Sequence, residues 1–314
     1  EGDTSVMTGK INVVYAAGSK EFPGLSSSII SLSRHLDSPG DCVIHIIVYE
    51  TDIFQAESLL ECLREELGSP ATAPTLKLHE LRPLPFNFTS FREVWEDVWP
   101  SGEPFLTPMH FVQIYLPEYF PTEPRVVWLD PDTVVQSDIG KLYRTPMSTA
   151  LAAALDMRWI TWNSGYIREI DGLNGSWWRD LPDLRTRTLN AGVLVLDLDR
   201  WRAEGISGKL EAWVRRASGV KVARLALNLE FHNGFDVLDW RWNVMGLMAL
   251  PPQRCLEQAH VLHWAETIKP WSENVPRLPA RLQKLYHDQF DPFRLSRDCS
   301  WRAAMLDTDV GFDG

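Results

Sequence analysis

The chain has 314 residues, long enough to bury a full core, and its 45% hydrophobic content is too high for a disordered polymer. Thirty-one basic against 42 acidic side chains give a net charge of −11, the wrong sign for gripping nucleic acid or an anionic membrane through diffuse charge. Its apolar runs, such as Val126-Val-Trp-Leu129, fall far short of the ~18 residues that span a bilayer, while its 14 tryptophans are an excess that calls for a reason.

Ile11 to Ala17 is a β-rich run ending at Gly18-Ser19. Pro23 to Leu36 follows with Leu25, Ile29, Leu32 and Leu36 at helical spacing. Cys42 to Tyr49 reads as a second strand and Thr75 to Leu81 as a third; between them Asp52 to Leu67 carries Phe54, Leu59, Leu60 and Leu63 on a helix. Strand and helix alternating at this spacing predict an α/β fold with an open, mostly parallel sheet flanked by helices.

Residues 84–104, rich in proline and aromatics, read as a loop, and a helix is predicted from Met109 to Tyr119 before the strand Val126 to Asp130. Leu151 to Leu155 and Leu189 to Leu198 are further strands. Between them, residues 158–188 form a long irregular insertion carrying Trp159, Trp162, Trp177 and Trp178. Ile206, Leu210 and Trp213 mark an amphipathic helix, and Val261 to Trp264 a last short strand. No linker divides the chain. One domain is expected over 11–291, with terminal extensions at 1–10 and 292–314 and a solvated tail from Asp307 to Gly314.

The chain begins with Glu1, as a processed or trimmed product would. Cys42, Cys62, Cys255 and Cys299 show no C-x-x-C spacing, which disfavours zinc and thioredoxin-like chemistry. They are either buried thiols or up to two disulfides in any of three connectivities. Sequons at Asn87-Phe-Thr89 and Asn174-Gly-Ser176 lean toward a secretory lumen.

Ligands of open α/β sheets bind beyond the carboxyl ends of the strands, and Asp130-Pro-Asp132 stands at one such end. In extended chain, residues i and i+2 fall on one side, so two carboxylates can converge there on a hard cation such as Mn²⁺ or Mg²⁺. The same three residues are also ordinary turn chemistry. Two other pairs share the spelling: Asp197-Leu-Asp199, read as a strand end and helix cap, and Asp307-Thr-Asp309 in the tail. His263 could complete a mixed O/N site or be a satisfied core histidine. Lys269, six residues on, could meet a diphosphate or simply be solvated.

Taken in order, several segments resemble glycosyltransferase family 8. They are Thr107 to Pro117, Trp128 to Ile139, Leu189-Asn190-Ala-Gly192-Val-Leu-Val-Leu196, Arg241-Trp-Asn243 and His263 to Trp271. Within that family the chain is most similar to the eukaryotic branch of plant galacturonosyltransferase-like and animal glycosyltransferase 8 domain-containing proteins, over about residues 11–271. The resemblance implies a GT-A fold, a retaining transferase, a UDP-sugar donor with Mn²⁺ (or Mg²⁺), and a saccharide or glycoconjugate acceptor. It makes Asp130, Asp132 and His263 the metal ligands and Lys269 a diphosphate contact, with Trp271 helping to hold that lysine. Asn190 and Asp156 would serve the donor sugar as catalytic residues. Gly192 and the turn residues Ala16, Ala17 and Gly18 would line the nucleotide sugar. The four insertion tryptophans would offer indole faces to acceptor sugar rings. The resemblance also implies a Golgi-lumenal, type II membrane protein whose anchor is missing from this chain.

The family pattern is broken in four places. Glu266 replaces the glycine of His-x-x-Gly-x-x-Lys-Pro-Trp, and its charge should repel a diphosphate unless it points away. Gln113 stands where an arginine is common. Gly18-Ser19-Lys20 lacks the acidic residues often found near the base, and the Gln-Asp motif of bacterial members has no counterpart around Arg224 to Leu227. Glu266 and Gln113 keep a second reading open, a non-catalytic or weakly active relative that binds nucleotide sugar, glycan or a protein partner. A nicotinamide-dependent dehydrogenase is disfavoured, because no G-x-G-x-x-G follows the first strand.

Overall fold

A computed structural model describes residues 9–69, 72–85, 108–156, 188–216, 222–232, 234–249 and 253–295. In chain order the elements are β1 (Ile11–Ala16), α1 (Phe22–His35), β2 (Cys42–Val48), α2 (Ile53–Leu67), β3 (Thr75–Glu80), α3 (Leu116–Tyr119), β4 (Arg125–Leu129), β5 (Thr133–Val135) and α4 (Ile139–Tyr143). They continue with β6 (Leu151–Leu155), β7 (Leu189–Asp197), α5 (Leu198–Ala203), α6 (Ile206–Arg216), α7 (Val222–Glu230), β8 (Asp236–Val237), α8 (Gln253–Glu257), β9 (Val261–His263) and α9 (Ala280–Gln289). Most of the expected 84–104 loop lies outside the described residues. So do Trp159, Trp162, Trp177 and Trp178, both sequons and the 307–314 tail.

The chain divides into two compact units, one of residues 1–81, 126–146 and 241–314, the other of residues 82–125 and 147–240. In the first, β3, β2, β1 and β4 lie side by side and parallel, with Val13 opposite Ile44 on one edge and Val127 on the other. Every residue of β1 and β2 is buried, as expected of strands covered on both faces. The β-branched run Val43-Ile-His-Ile-Ile-Val48 suits a pleated, fully enclosed strand. A separate two-stranded ribbon pairs β5 with β9 antiparallel, Thr133 opposite His263. It packs into a second core of Val244, Leu262, Trp264, Tyr286 and Phe290, where the Trp264 ring meets Tyr286 and Phe290 edge-on. The sequence reading anticipated β9 but neither β5 nor α9.

In the second unit β6 is antiparallel to β7 and parallel to β8. Asp236 of β8 accepts hydrogen bonds from the backbone and hydroxyls of Ser148 and Thr149, and these bonds hold its carboxyl below the usual carboxylate range against the opposing effect of burial. The predicted 109–119 helix is instead a 3-10 run over Pro108–Tyr115 followed by the single turn α3. An unbroken α-helix would need the N–H of residue 117 to reach the carbonyl of Gln113, and Pro117 has none. The apolar stripe of α6 also differs from expectation. Its buried positions are Ile206, Leu210 and Val214, while Trp213 turns aside to donate its indole N–H to Glu230 at 2.9 Å.

The open thiol question resolves in part. Cys62 is disulfide-bonded, whereas Cys42 and Cys255 are free. Burial pushes the Cys42 thiol up to about 12, leaving it inert as a nucleophile. Among the described residues no helix is long and apolar enough to cross a membrane.

Candidate metal centre and its surroundings

β4 ends at Leu129, and the chain turns through Asp130-Pro131-Asp132 before entering β5. The turn is fixed from within. Thr133 donates its hydroxyl to the Asp130 carbonyl at 2.8 Å, and the Trp128 indole N–H donates to Asp130 Oδ1 at 2.8 Å. Because Thr133 pairs with His263 across the β5–β9 ribbon, the same ladder that closes the ribbon brings the imidazole beside the turn. The backbone N–H of Trp264 donates to the Asp132 carbonyl at 2.9 Å and locks the two strands together at that level.

The result is one cluster. Ligand atoms of Asp130, Asp132 and His263 all lie within 4.8 Å of one another, and no other group of three or more potential ligands occurs among the described residues. His263 Nε2 is 3.3 Å from Asp132 Oδ1 and 3.7 Å from Asp130 Oδ2. The other ring nitrogen, Nδ1, is 2.9 Å from Asn243 Oδ1. With that oxygen as acceptor, Nδ1 carries the ring proton and Nε2 faces the carboxylates. Asp132 Oδ1 is buried with no hydrogen bond directed at it. Two carboxylates and a ring lone pair in so small a space favour added positive charge or protons; Lys269 supplies one charge at Asp132 Oδ2, and a proton or a cation among the three would supply more.

The electrostatics agree with this reading. Burial alone would depress His263, but the Asp132 and Asp130 carboxylates outweigh it and raise its pKa. Burial and the neighbouring Asp132 raise the Asp130 carboxyl. Asp132 goes the other way. Burial opposes its charge, yet the Lys269 ammonium at 2.6 Å from Oδ2 holds it well below the usual carboxylate range. Oxygen and imidazole donors from three residues, mostly buried and short of positive charge, fit a hard divalent ion.

Lys269 is thus no solvated surface charge. Its amine also donates to the Trp264 carbonyl at 2.8 Å. Glu266 Oε1 is 3.5 Å from the Met248 nitrogen and its Oε2 is buried with no hydrogen bond; burial together with the Glu266 charge raises the Tyr286 hydroxyl to about 12. Ala16 and Ala17 are buried at the end of β1, where the Ala17 N–H is bound to the Ile47 carbonyl. At the following turn the Gly18 N–H donates to Glu21 Oε2 at 3.0 Å and the Ser19 N–H to Asp52 Oδ2 at 2.8 Å, so acidic groups absent from Gly18-Ser19-Lys20 arrive from further along the chain.

The remaining site candidates lie in the second unit. Asp156 is fully buried just past β6, its backbone N–H held by the Thr188 carbonyl. Asn190 is buried in β7, where its Oδ1 accepts the Gly192 N–H at 2.9 Å. Gln113, also buried, donates to the Ala191 carbonyl at 3.0 Å, so this departure from the arginine pattern braces the Asn190-Ala191-Gly192 segment. Sequence reasoning gave no role to Asn243, although Arg241-Trp-Asn243 was among its matching segments, and it overlooked Trp128 as a donor to Asp130.

Comparison with known proteins gives the chain's family and architecture. The profile described as "Glycosyl transferase family 8" matches residues 77–275. The chain is 29% identical over 196 residues to "Glycosyltransferase 8 domain-containing protein 2" of Bos taurus, covering 54% of this chain and 56% of that protein. It is 25% identical over 297 residues to "Probable galacturonosyltransferase-like 7" of Arabidopsis thaliana, covering 88% and 75%. The chain therefore spans little more than half of the first relative's length. Among solved structures, an active-site mutant of LgtC matches with a TM-score of 0.63 at 18% identity, over 93% of this chain and 99% of that one. Mouse xyloside xylosyltransferase 1 matches with a TM-score of 0.53 at 15% identity, over 82% and 98%. These neighbours identify the architecture as a GT-A fold, and with the profile covering well over half of its length the chain belongs to glycosyl transferase family 8.

Proposed function

We propose that this chain is a retaining glycosyltransferase that moves a hexose or pentose from a UDP-sugar to a saccharide or glycoconjugate acceptor, working as one transferase domain over 11–291. The observation that carries the reading is the convergence of Asp130, Asp132 and His263 on one small volume that calls for positive charge. Those three residues would hold Mn²⁺ or Mg²⁺. When bound, such an ion supplies Lewis-acid stabilisation of the charge that develops on a departing diphosphate. Lys269, fixed on Asp132 Oδ2 and the Trp264 carbonyl, adds a second positive charge beside the same place.

The other assignments extend this reading. Asn190 and Asp156 are the groups proposed to orient the donor sugar. Asn190 is pre-set by its own bond to the Gly192 N–H, and Gly192 lets backbone approach the sugar closely. Ala16, Ala17 and Gly18 are proposed to line the nucleotide. Trp159, Trp162, Trp177 and Trp178 are proposed to stack acceptor rings. The Cys62 disulfide supports a secretory, Golgi-lumenal location for a type II membrane protein, because such bonds persist in oxidising compartments.

The alternative of a non-catalytic relative drew its force from Glu266 and Gln113. Gln113 has other employment at the Ala191 carbonyl, and one Glu266 oxygen lies toward the Met248 N–H while the other is buried without a hydrogen bond. The test is direct. UDP with Mn²⁺ should raise the melting temperature, and a panel of UDP-sugars with Mn²⁺ should release free UDP from one of them. No thermal shift at millimolar UDP and Mn²⁺ would sink the transferase reading, and a shift without UDP release would favour the binding-only relative.

A further inference from the structure

The Lys-Pro-Trp segment is anchored to the first helix at a position that admits no side chain. A Cβ placed on Gly24, in the first turn of α1, would lie 2.3 and 2.4 Å from Cη2 and Cζ3 of Trp271 and 2.8 Å from the Pro131 carbonyl oxygen. Carbon atoms of unlike residues do not approach so closely, and neither neighbour yields easily. Trp271 is a rigid ring that also lies against Phe290, tilted by 34° with centroids 5.7 Å apart, and Pro131 O is backbone. The hydrogen of Gly24 is thus the only substituent that lets the indole rest on α1.

What the indole holds is the loop that carries Lys269. The Ser272 N–H donates to the Lys269 carbonyl at 2.9 Å, making a tight turn of which Trp271 is a part. The Tyr286 hydroxyl donates to the Ile268 carbonyl at 3.0 Å and Arg294 to the Pro270 carbonyl at 3.0 Å, so the turn is tied on its outer side by α9 and the residues after it. The Lys269 amine ties it to Asp132 Oδ2 and the Trp264 carbonyl, and Trp271 seats it against Gly24. The same glycine lies against Pro131, the residue between the two carboxylates. One position of α1 therefore abuts both the lysine loop and the Asp130-Pro131-Asp132 turn.

We infer that Gly24 is a positioning residue, a socket for Trp271 that sets the Lys269 ammonium against Asp132 and so the charge geometry offered to a nucleoside diphosphate. The inference rests on the proposed transferase reading, in which Lys269 meets the diphosphate. Filling the socket should push the indole and its turn outward and part Lys269 from Asp132. Shortening the indole in the filled background should let the turn settle back.

The experiment is a double-mutant cycle on UDP affinity in Mn²⁺, read by calorimetry on the full chain. Gly24→Ala should weaken UDP binding about tenfold or more with native circular dichroism retained, and Gly24→Ala with Trp271→Phe should bind more tightly than Gly24→Ala alone. A gain on adding a truncation to the filled socket is a result that general loosening of the fold does not give. If the parent chain binds UDP and Gly24→Ala binds it equally, the socket is wrong while the transferase reading stands. If the parent chain itself does not bind, the transferase reading falls and takes this inference with it. Should Gly24→Ala not fold, Trp271→Phe alone serves: UDP binding weakened about tenfold in a folded protein supports the socket, and unchanged binding overturns it.

Discussion

Asp130-Pro-Asp132 and Asp197-Leu-Asp199 carry the same spelling at the ends of strands and have opposite fates. In the second pair each carboxylate is answered locally. Asp197 caps α5 by accepting the Arg200 N–H at 3.0 Å, and Asp199, 68% exposed, meets Arg202 one helical turn away at 2.7 Å. In the first pair Asp130 takes a local bond from the Trp128 indole, but the groups facing Asp132, His263 and Lys269, come from more than 130 residues downstream, and Asp132 Oδ1 is left buried with no hydrogen bond. Two acids at spacing i, i+2 can reach one cation. Whether they do is decided by whether the surrounding chain satisfies them first.

The largest effect should therefore separate the two pairs. Asp132→Ala is expected to abolish the thermal shift given by UDP and Mn²⁺, because it removes a metal-facing oxygen and the partner of Lys269 together. Asp197→Ala should leave that shift intact. Equal losses from both would erase the distinction. Asn243 offers a subtler break. It touches no proposed ligand atom directly but fixes which nitrogen of His263 turns to the carboxylates. Asn243→Ala should weaken Mn²⁺ binding by roughly 10–100-fold, the usual effect of removing such a supporting partner. Mn²⁺ titration of a folded variant gives the answer, and wild-type affinity would mean that Asn243 does not set the tautomer.

A pair of buried histidines sharpens the contrast through pH. His263 faces two carboxylates and is raised; His45 of β2 is lowered to about 3, first by burial and then by His79 and Lys77. His45 spans β1 to β3, with Nε2 3.2 Å from Asn12 Oδ1 and Nδ1 2.9 Å from His79 Nε2, a chain that favours a neutral ring. Its folded pKa lies below the unfolded value near 6.5, so the unfolded state takes up a proton first. Stability is accordingly lost as pH falls from about 6.5 toward 3, by up to about 1.4 kcal/mol per pH unit. Denaturant midpoints of His45→Gln should show a shallower acid limb than those of the parent between pH 6.5 and 4.5. Parallel limbs would remove His45 as a source of acid sensitivity.

Much of this was legible in the sequence, and what was not has identifiable causes. β1, β2 and β4 are plain in the sequence because fully buried β-rich runs such as Ile11 to Ala16 leave little else to be. The two acids, His263 and Lys269 were separable from their decoys only through the ordered series of segments around them. β5 was missed because three residues, Thr133 to Val135, carry no periodicity; pairing with β9 makes them a strand. Trp213 was placed in the core on spacing alone, and a single offset gave that place to Val214. Gly24 was invisible for a different reason. Nothing local distinguishes a glycine that the helix merely tolerates from one that a distant indole requires.

The smallest effect tests the other half of the comparison. Asp197→Ala removes a side chain that caps α5 and accepts the Arg200 N–H, a role generally worth about 1 kcal/mol. Asp199→Ala removes an exposed i, i+3 ion pair to Arg202, worth less than about 0.5 kcal/mol. The difference is one of satisfaction rather than charge, because the cap relieves a backbone N–H that otherwise loses its partner, whereas the exposed ion pair trades hydration of two charges for a screened contact between them. Chemical denaturation should rank the two variants in that order. If Asp199→Ala proved the more damaging, the exposed pair would be holding more structure than its geometry suggests, and the rule that local partners disarm an Asp-x-Asp would need another basis than capping.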